Sequence, residues 1–180
     1  NNQLQHSFYL NNIHFQFHCA VINDLINRYH IKKESLFKSI VNHILRSNAR
    51  IYSAKSIKTY INSENENCSL NTIIKYLDYL EEAYIISSIK QYSTKTKKEL
   101  SYFKKVYNED VSFNSIRCLD NKFDLTHNLE NIVYNELLYM GYDLYVFDNN
   151  GKEIDFLAQK GNKQYYVQVA YSVVEDKAYK

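Results

Sequence analysis

The chain has 180 residues, 45% of them hydrophobic and 23% charged, with a net charge of +2, so it reads as globular rather than disordered and its overall charge alone implies no nucleic-acid partner. Three glycines and no proline exclude collagen, proline-rich linkers and the clustered-glycine loop of a nucleotide site. Cys19, Cys68 and Cys118 are odd in number and form no CxxC pair, which argues for a reducing cytosol, and no apolar run approaches the roughly 20 residues of a membrane helix, so a cytoplasmic protein without a membrane partner is expected.

Residues 1–19 alternate like a strand around His14-Phe15-Gln16-Phe17-His18, with Phe8, Leu10, Phe15 and Phe17 as the apolar positions. His14, His18 and Cys19 have no fourth ligand nearby and read as ordinary strand residues. From Ala20 the period becomes helical. Val21, Ile22, Leu25 and Ile26 mark a short helix ending near His30. Leu36, Phe37, Ile40, Val41, Ile44 and Leu45 mark a longer one, capped by Glu34 or Ser35. A third helix starts at Ser53, with Ala54, Ile57 and Ile61 inward. A fourth, capped by Ser69 or Asn71, carries the stripe Ile73, Ile74, Leu77, Leu80 and Ala83. The period then falls to two over 85–91 and 100–107, flanking a polar turn at 93–98. Helices followed by a two-stranded ribbon predict a winged helix-turn-helix over 20–107, the fourth helix serving for recognition and Thr94–Lys98 as the wing tip.

Residues 108–126 are mixed, with one short helix around Val111–Arg117. Thr126 or Asn128 then caps a helix with Leu129, Ile132, Val133, Leu137 and Met140 on one stripe and Gly141 just past its end. Strands over 142–148, 153–159 and 163–172 are joined by short polar turns, which predicts an antiparallel meander. The fold class expected is α+β: a winged helix followed, over 108–180, by a unit related to the PD-(D/E)xK nucleases and cut short at its C-terminus.

The nuclease comparison rests on Glu130 in the first turn of that helix, on Glu153 and Asp155 two apart on one strand, and on Gln168 on the next. Two or more carboxylates hold Mg²⁺, and a lysine beside the metal completes that chemistry. Glu130, Asp155 and Gln168 form the catalytic set, and Glu130, Glu153 and Asp155 the metal set if the site is active. Where an acid-x-Lys should stand, the chain reads Gln168-Val169-Ala170, so the set is degenerate. Lys177 could supply the lysine from a following helix. The same carboxylates also read as caps and turn neighbours, and in an unneutralised cluster Asp155→Asn should leave stability nearly unchanged or raise it.

A second signal is basic. Lys90, Lys95, Lys97, Lys98, Lys104 and Lys105 face one acid, Glu99, across the hairpin. Such a wing suits phosphate contacts, or serves only to blunt a sheet edge. On the fourth helix, Asn71, Thr72, Lys75 and Tyr76 suit DNA contact, with Lys95, Lys97 and Lys98 from the wing, although Asp78, Glu81 and Glu82 oppose deep insertion.

The segments AVINDLINR (Ala20–Arg28), Ser53–Ile57, NTIIKYLDYLEEAYII (Asn71–Ile86), KVYNED (Lys105–Asp110), LENIVYNEL (Leu129–Leu137), EIDF (Glu153–Phe156) and VQVAYS (Val167–Ser172), in this order, resemble the C-terminal region of bacterial and archaeal AAA+-type ATPases, domain of unknown function 4143. The resemblance implies a P-loop ATPase upstream, with residues 1–19 its remnant, followed by a winged helix and a restriction-endonuclease-like domain. It maps the family's acidic and Gln/Glu positions onto Glu130, Asp155 and Gln168. The reading that follows is a non-catalytic DNA- or protein-binding module beside an ATPase. The alternatives are an active Mg²⁺-dependent nuclease or a purely structural, oligomerising unit. No cofactor is expected in this chain except Mg²⁺ if the site is active, with ATP bound only by the upstream domain. The partners expected are DNA, that ATPase domain, or a second copy, because the valine face of the last strand (Val167, Val169, Tyr171, Val173) needs cover from another chain or from Phe8, Leu10, Phe15 and Phe17.

Overall fold

The computed structural model describes residues 19–93, 98–113, 124–149 and 152–171. Among these are five helices and six strands, an α+β arrangement. Helix α1 spans 19–28, α2 Glu34–Arg46, α3 Ala54–Ser63, α4 Leu70–Glu82 and α5 Leu125–Tyr139. The strands are β1 Arg50–Tyr52, β2 Ile86–Ser93, β3 Lys98–Asn108, β4 Asp143–Asn149, β5 Lys152–Lys160 and β6 Lys163–Val167. The chain divides into two compact units, one of residues 1–47, 53–87 and 108–123, the other of residues 48–52, 88–107 and 124–180. No described helix is long and apolar enough to cross a membrane.

The first unit is helical. Apolar residues at i, i+1, i+4 and i+5 put Leu36, Phe37, Ile40, Val41, Ile44 and Leu45 of α2 on one buried face. They are joined in the core by Ile22, Leu25 and Ile26 of α1, Ile57 and Ile61 of α3, and Ile73, Leu77 and Leu80 of α4. Phe37 meets Tyr76 edge-on at 5.1 Å, Tyr29 stacks on Tyr79 at 3.7 Å, and His43 stacks on Tyr60 at 4.0 Å. Ser53 caps α3 through a reciprocal bond with Ser56, and Ser69 caps α4 by accepting the Thr72 N–H. Two details differ from the sequence expectation. Lys33, whose side chain makes no capping bond, is the N-cap of α2, so Glu34 lies inside the first turn, where its charge favours the helix dipole. On α4 the buried set is Ile73, Tyr76, Leu77 and Leu80, spaced i, i+3, i+4, i+7, and Ile74 is 46% exposed because it lies about 100° around the helix from Ile73.

The second unit is built on one mixed sheet of order β1-β3-β2-β4-β5-β6. The meander β4-β5-β6 is antiparallel, as its short turns predict. The β2 and β3 strands do not stand out as a free two-stranded wing. On one side β1 pairs antiparallel with β3, and on the other β2 pairs parallel with β4 through Gln91, Tyr92 and Ser93 against Val146, Phe147 and Asp148. The three residues of β1 are too few for an alternation to register. Ile89, Tyr107, Tyr134, Leu144, Val146, Phe156 and Ala158 form the core, with Val133, Leu137, Val167 and Val169 packed on it.

The α5 helix is turned from its expected orientation. Asp124, not Thr126 or Asn128, is its N-cap, so Glu130 lies in the second turn. Its buried residues are Asn128, Glu130, Asn131 and Tyr134, while Ile132 is 53% exposed. The apolar stripe gives way because the polar face finds partners inside. Gly141 ends the helix at φ +80°, its N–H bonding the Leu138 carbonyl at 2.8 Å and the Tyr142 N–H the Leu137 carbonyl at 3.1 Å. β6 ends at Val167, short of the strand expected to 172. The predicted uncovered valine face is not formed as such, since Val167 and Val169 pack on the core and Tyr171 is exposed. Phe8, Leu10, Phe15, Phe17, His14, His18, Val173 and most of the helix expected around Val111–Arg117 lie outside the described residues.

The two-way Ser53–Ser56 cap generates a stability prediction. Ser53→Ala leaves the first-turn amides of α3 without their acceptor and is expected to cost about 1 kcal/mol, whereas Ser53→Asp should be nearly neutral. Chemical denaturation of the three proteins checks it, and an unchanged midpoint for Ser53→Ala would remove the cap from the account of α3.

Candidate functional site

The β3 strand carries adjacent lysines. Neighbours on a strand point to opposite faces, so only one of Lys104 and Lys105 can avoid the side occupied by Tyr107. Lys105 takes that side. Tyr107 is fully buried and stacks on Tyr134 of α5 at 4.0 Å, and Lys105 is buried one pleat away. The inward polar face of α5 presents Glu130 to both. The Tyr107 hydroxyl donates to Glu130 Oε1 at 2.7 Å, and Lys105 Nζ lies 2.7 Å from the same oxygen.

Strand β5 supplies two more carboxylates through an irregularity. Between the pairs Tyr145–Leu157 and Phe147–Ile154, β5 advances three residues while β4 advances two. This bulge inserts one residue and breaks the strict alternation, so Glu153 can share a side with the core residue Phe156. Lys105 Nζ donates to Glu153 Oε1 at 2.7 Å and lies 3.6 Å from Asp155 Oδ1. Just past β6, Gln168 Nε2 and the Val169 backbone N–H donate to Asp155 Oδ2 at 2.6 and 2.8 Å. The structure therefore brings together Glu130, Glu153, Asp155 and Gln168, all singled out in the sequence, around a lysine that the sequence places only among the basic residues of the hairpin. Lys177 lies outside the described residues. Asp155 is hydrogen-bonded by Gln168 and the Val169 amide and lies near Lys105, contacts that the expectation for Asp155→Asn did not include.

The charges are tightly coupled. The Lys105 side chain is 4% exposed. Burial alone would lower its pKa, but the hydrogen bond and charge of Glu130, then those of Glu153, outweigh it and hold the ammonium above its ordinary range. Burial holds Glu130 above the usual carboxylate range, against the bonds from Lys105 and Tyr107. Burial, together with the Glu130 charge, pushes the Tyr107 phenol far up, so it stays a donor. Glu153, with a 39% exposed side chain, is the open end of the cluster. Three carboxylates are the hard oxygen donors that Mg²⁺ takes. Here, however, Asp155 Oδ2 accepts two N–H groups, Glu130 Oε1 accepts from Tyr107 and Lys105, and all three carboxylates turn toward the ammonium. Among the described residues no group of three or more His, Cys, Asp or Glu side chains is placed to hold a metal ion, so as they stand Glu130, Glu153 and Asp155 do not fit the metal set expected for an active site.

The residues expected at DNA are less gathered. Asn71 and Lys75 are exposed on α4, and Lys75 Nζ lies over the Tyr79 ring at 5.6 Å. Thr72 is tied to the cap through its hydroxyl and the Ser69 hydroxyl at 2.9 Å, and Tyr76 is buried and unavailable. Lys95 and Lys97 lie outside the described residues, as does the side chain of Lys98, which begins β3.

The family described as "Domain of unknown function (DUF8612)" matches residues 13–120, more than half of the chain, and the chain belongs to that family. An uncharacterized protein of Haemophilus influenzae is 32% identical over 160 residues, 89% of this chain and 40% of the relative. An uncharacterized protein of Methanocaldococcus jannaschii is 31% identical over 157 residues, 84% of this chain and 34% of the relative. The chain thus spans 40% and 34% of the lengths of these relatives. No solved structure matches the chain. The match to this family overturns the resemblance to the C-terminal region of AAA+-type ATPases, domain of unknown function 4143, and the ATPase setting inferred from it falls with it. The segments behind that resemblance are short apolar and acidic stretches, a pattern that helix and strand units of many families share. The family match includes Lys105 and Tyr107 and stops short of Glu130, Glu153, Asp155 and Gln168.

Replacing Lys105 with Met should leave three carboxylates without their counter-ion and cost about 3–5 kcal/mol. In the variant, Glu130 loses the Lys105 bond and charge that oppose the effect of its burial, so its folded-state pKa rises further above the usual carboxylate range. The folded state is then favoured below the unfolded value of about 4 and loses stability as pH rises through the raised value. Thermal melts from pH 8 to 5 should show the variant recovering toward the parent as pH falls. In the parent, Lys105 stays charged throughout this window, because its raised pKa lies above the ordinary value of about 10.4. A variant deficit that stays constant with pH would mean the carboxylates do not depend on Lys105.

Proposed function

We propose that the chain is a non-catalytic DNA-binding module in which a nuclease-type arrangement has been kept as a structural centre. The observation that carries the reading is the commitment of the carboxylate oxygens. Asp155 and Glu130 are bonded to Gln168, Val169, Tyr107 and Lys105, which leaves their oxygens turned toward protein donors. The order of helix and three strands, with Glu130 on α5, Asp155 on β5 and Gln168 just past β6, supports descent from a PD-(D/E)xK-type unit. Gln168 and Ala170 lack the acid and the lysine of its last motif. Helices α2, α3 and α4 support a helix-turn-helix-like binding unit with Asn71 and Lys75 exposed on α4, and the lysine-rich sequence at Lys95, Lys97 and Lys98 by itself suits phosphate contacts.

A second reading, an active Mg²⁺-dependent nuclease, has Lys105 in its favour, since β3 provides the lysine that the Gln168–Ala170 segment lacks. In that reading Glu130, Glu153 and Asp155 would hold the ion, and the ion would offset the charge developing on the phosphate.

Binding of a fluorescent duplex should weaken steeply with salt, each neutralised phosphate adding about −0.9 to the log–log slope. Replacing Lys95, Lys97 and Lys98 together with Ala should flatten the slope by roughly 2–3 units. Salt-independent binding, or none at low salt, would point to a protein partner instead. Supercoiled plasmid should stay intact with Mg²⁺ or Mn²⁺, and nicking that Asp155→Asn abolishes would establish the nuclease reading.

A further inference from the structure

The turn of α5 that brings Glu130 to Lys105 leaves the opposite side of the helix outside, and that side is apolar. Leu125, Leu129, Ile132, Glu136 and Tyr139 follow one another at alternating steps of four and three residues, with Met140 beside the last of them. Such steps keep side chains on one line along a helix, the spacing of the seam by which two helices pack. The line lies opposite the buried Glu130, Asn131 and Tyr134. Leu125, Ile132, Tyr139 and Met140 are between 42% and 88% exposed, and Leu129 is partly buried. Together they present on the order of 400 Å² of apolar surface, the size at which a contiguous patch marks an interaction site.

The row is complementary to itself. Leu125 and Tyr139 stand seven residues before and after Ile132, so a two-fold axis at Ile132 lays Leu125 of one copy against Tyr139 of another and brings the two Ile132 side chains together. The charges select the direction. Glu136 is the one charged residue on the line, and a parallel pair would set Glu136 against Glu136. In the antiparallel pair the two are eight residues apart along the helices, about 12 Å, beyond the Debye length of about 8 Å at physiological salt. The ends match as well. Asp124 caps the N-terminal end, its side chain still 46% exposed although it meets His127 and Arg50, and exposed Lys160 donates to the Met140 carbonyl at the C-terminal end at 2.7 Å. Antiparallel packing brings the acidic end of each helix to the basic end of the other and opposes the two helix dipoles.

We infer that the outer face of α5 is a homodimer interface, in which the helices of two copies pack antiparallel about a two-fold axis at Ile132. With its polar rim such a contact approaches the roughly 1,200 Å² at the lower end of standard interfaces, so the dimer is a weak one. The inference does not use the DNA-binding reading, and neither fails with the other.

Sedimentation equilibrium of the full chain tests it, with a dimer dissociation constant on the order of 10 µM expected. Ile132→Lys sets two ammonium groups against each other on the axis. Because a substitution enters a two-fold interface twice, it should weaken association roughly 100-fold or more. Ile132 is exposed, so the far-ultraviolet circular dichroism of the variant should match the parent's, and Ile132→Ser, measured in parallel, should weaken association by about tenfold. Ile74→Lys removes an equally exposed isoleucine from α4 and should leave the dimer unchanged. Under mild oxidation a mixture of Leu125→Cys and Tyr139→Cys proteins should form the cross-linked pair of the two faster than either forms a pair with itself. A monomer at every concentration overturns the inference and leaves the face to a different protein. A dimer that survives Ile132→Lys, or that Ile74→Lys weakens as much, also overturns it, and faster cross-linking of Leu125→Cys to itself overturns the antiparallel arrangement.

Discussion

The attraction between one buried ammonium and three carboxylates governs the second unit. Removing charges from water is expensive, and an interior ion pair recovers that cost only when its remaining donors and acceptors are also bonded. Here Tyr107, Gln168 and the Val169 amide complete the shells of Glu130 and Asp155. The face that α5 turns to the sheet follows from this. A helix that buried Ile132 and Met140 would leave Glu130 pointing to solvent and Lys105 without one of its two closest partners. The polar face wins because the unpaired ion would cost more than the apolar surface left outside.

Tyr107 links this polar centre to the apolar core. Its ring stacks on Tyr134 and tilts against Phe156, while its hydroxyl fixes Glu130. One residue thus belongs to both environments, so the position of the charged cluster is set by aromatic packing. The stacked pair also couples β3 to α5. A change in the packing of that pair would be felt directly in the geometry of the carboxylates.

Much of this was legible in the sequence. The helical spacing of 36–45, the capping serines 53 and 69, and the meander over 142–167 follow from period and turn chemistry, and Glu130, Glu153, Asp155 and Gln168 are picked out by their places on one helix and two successive strand segments, as in a nuclease metal site. Lys105 was hidden by its neighbours. In Lys104-Lys105 a charge run looks like a solvated face, although adjacent strand residues cannot share a face, and the alternation leading to Tyr107 assigns Lys105 to the inside. The orientation of α5 was not legible, because its hydrophobic stripe is real and only a partner far along the chain reverses it. The three-residue β1 was invisible for the same reason: its pairing with β3 is tertiary, with no local pattern. Family membership is not legible in those segments, because short segments in a plausible order carry little discriminating information.

The bulge in β5 gives this strand two registers. From Leu157 onward the residues keep step with β4 in one phase, and from Ile154 back to Lys152 they keep step in the other. Length in this stretch therefore carries information that residue identity does not. A homologue with the same acids and one residue fewer between Glu153 and Leu157 would pair regularly with its neighbour, and its first acid would turn to the opposite side of the sheet. When relatives are aligned here, the spacing from the acidic pair to the apolar Phe156-Leu157-Ala158 segment is a better guide to a preserved centre than the acids themselves. A single-residue gap in that interval marks a protein that has kept the letters and lost the arrangement.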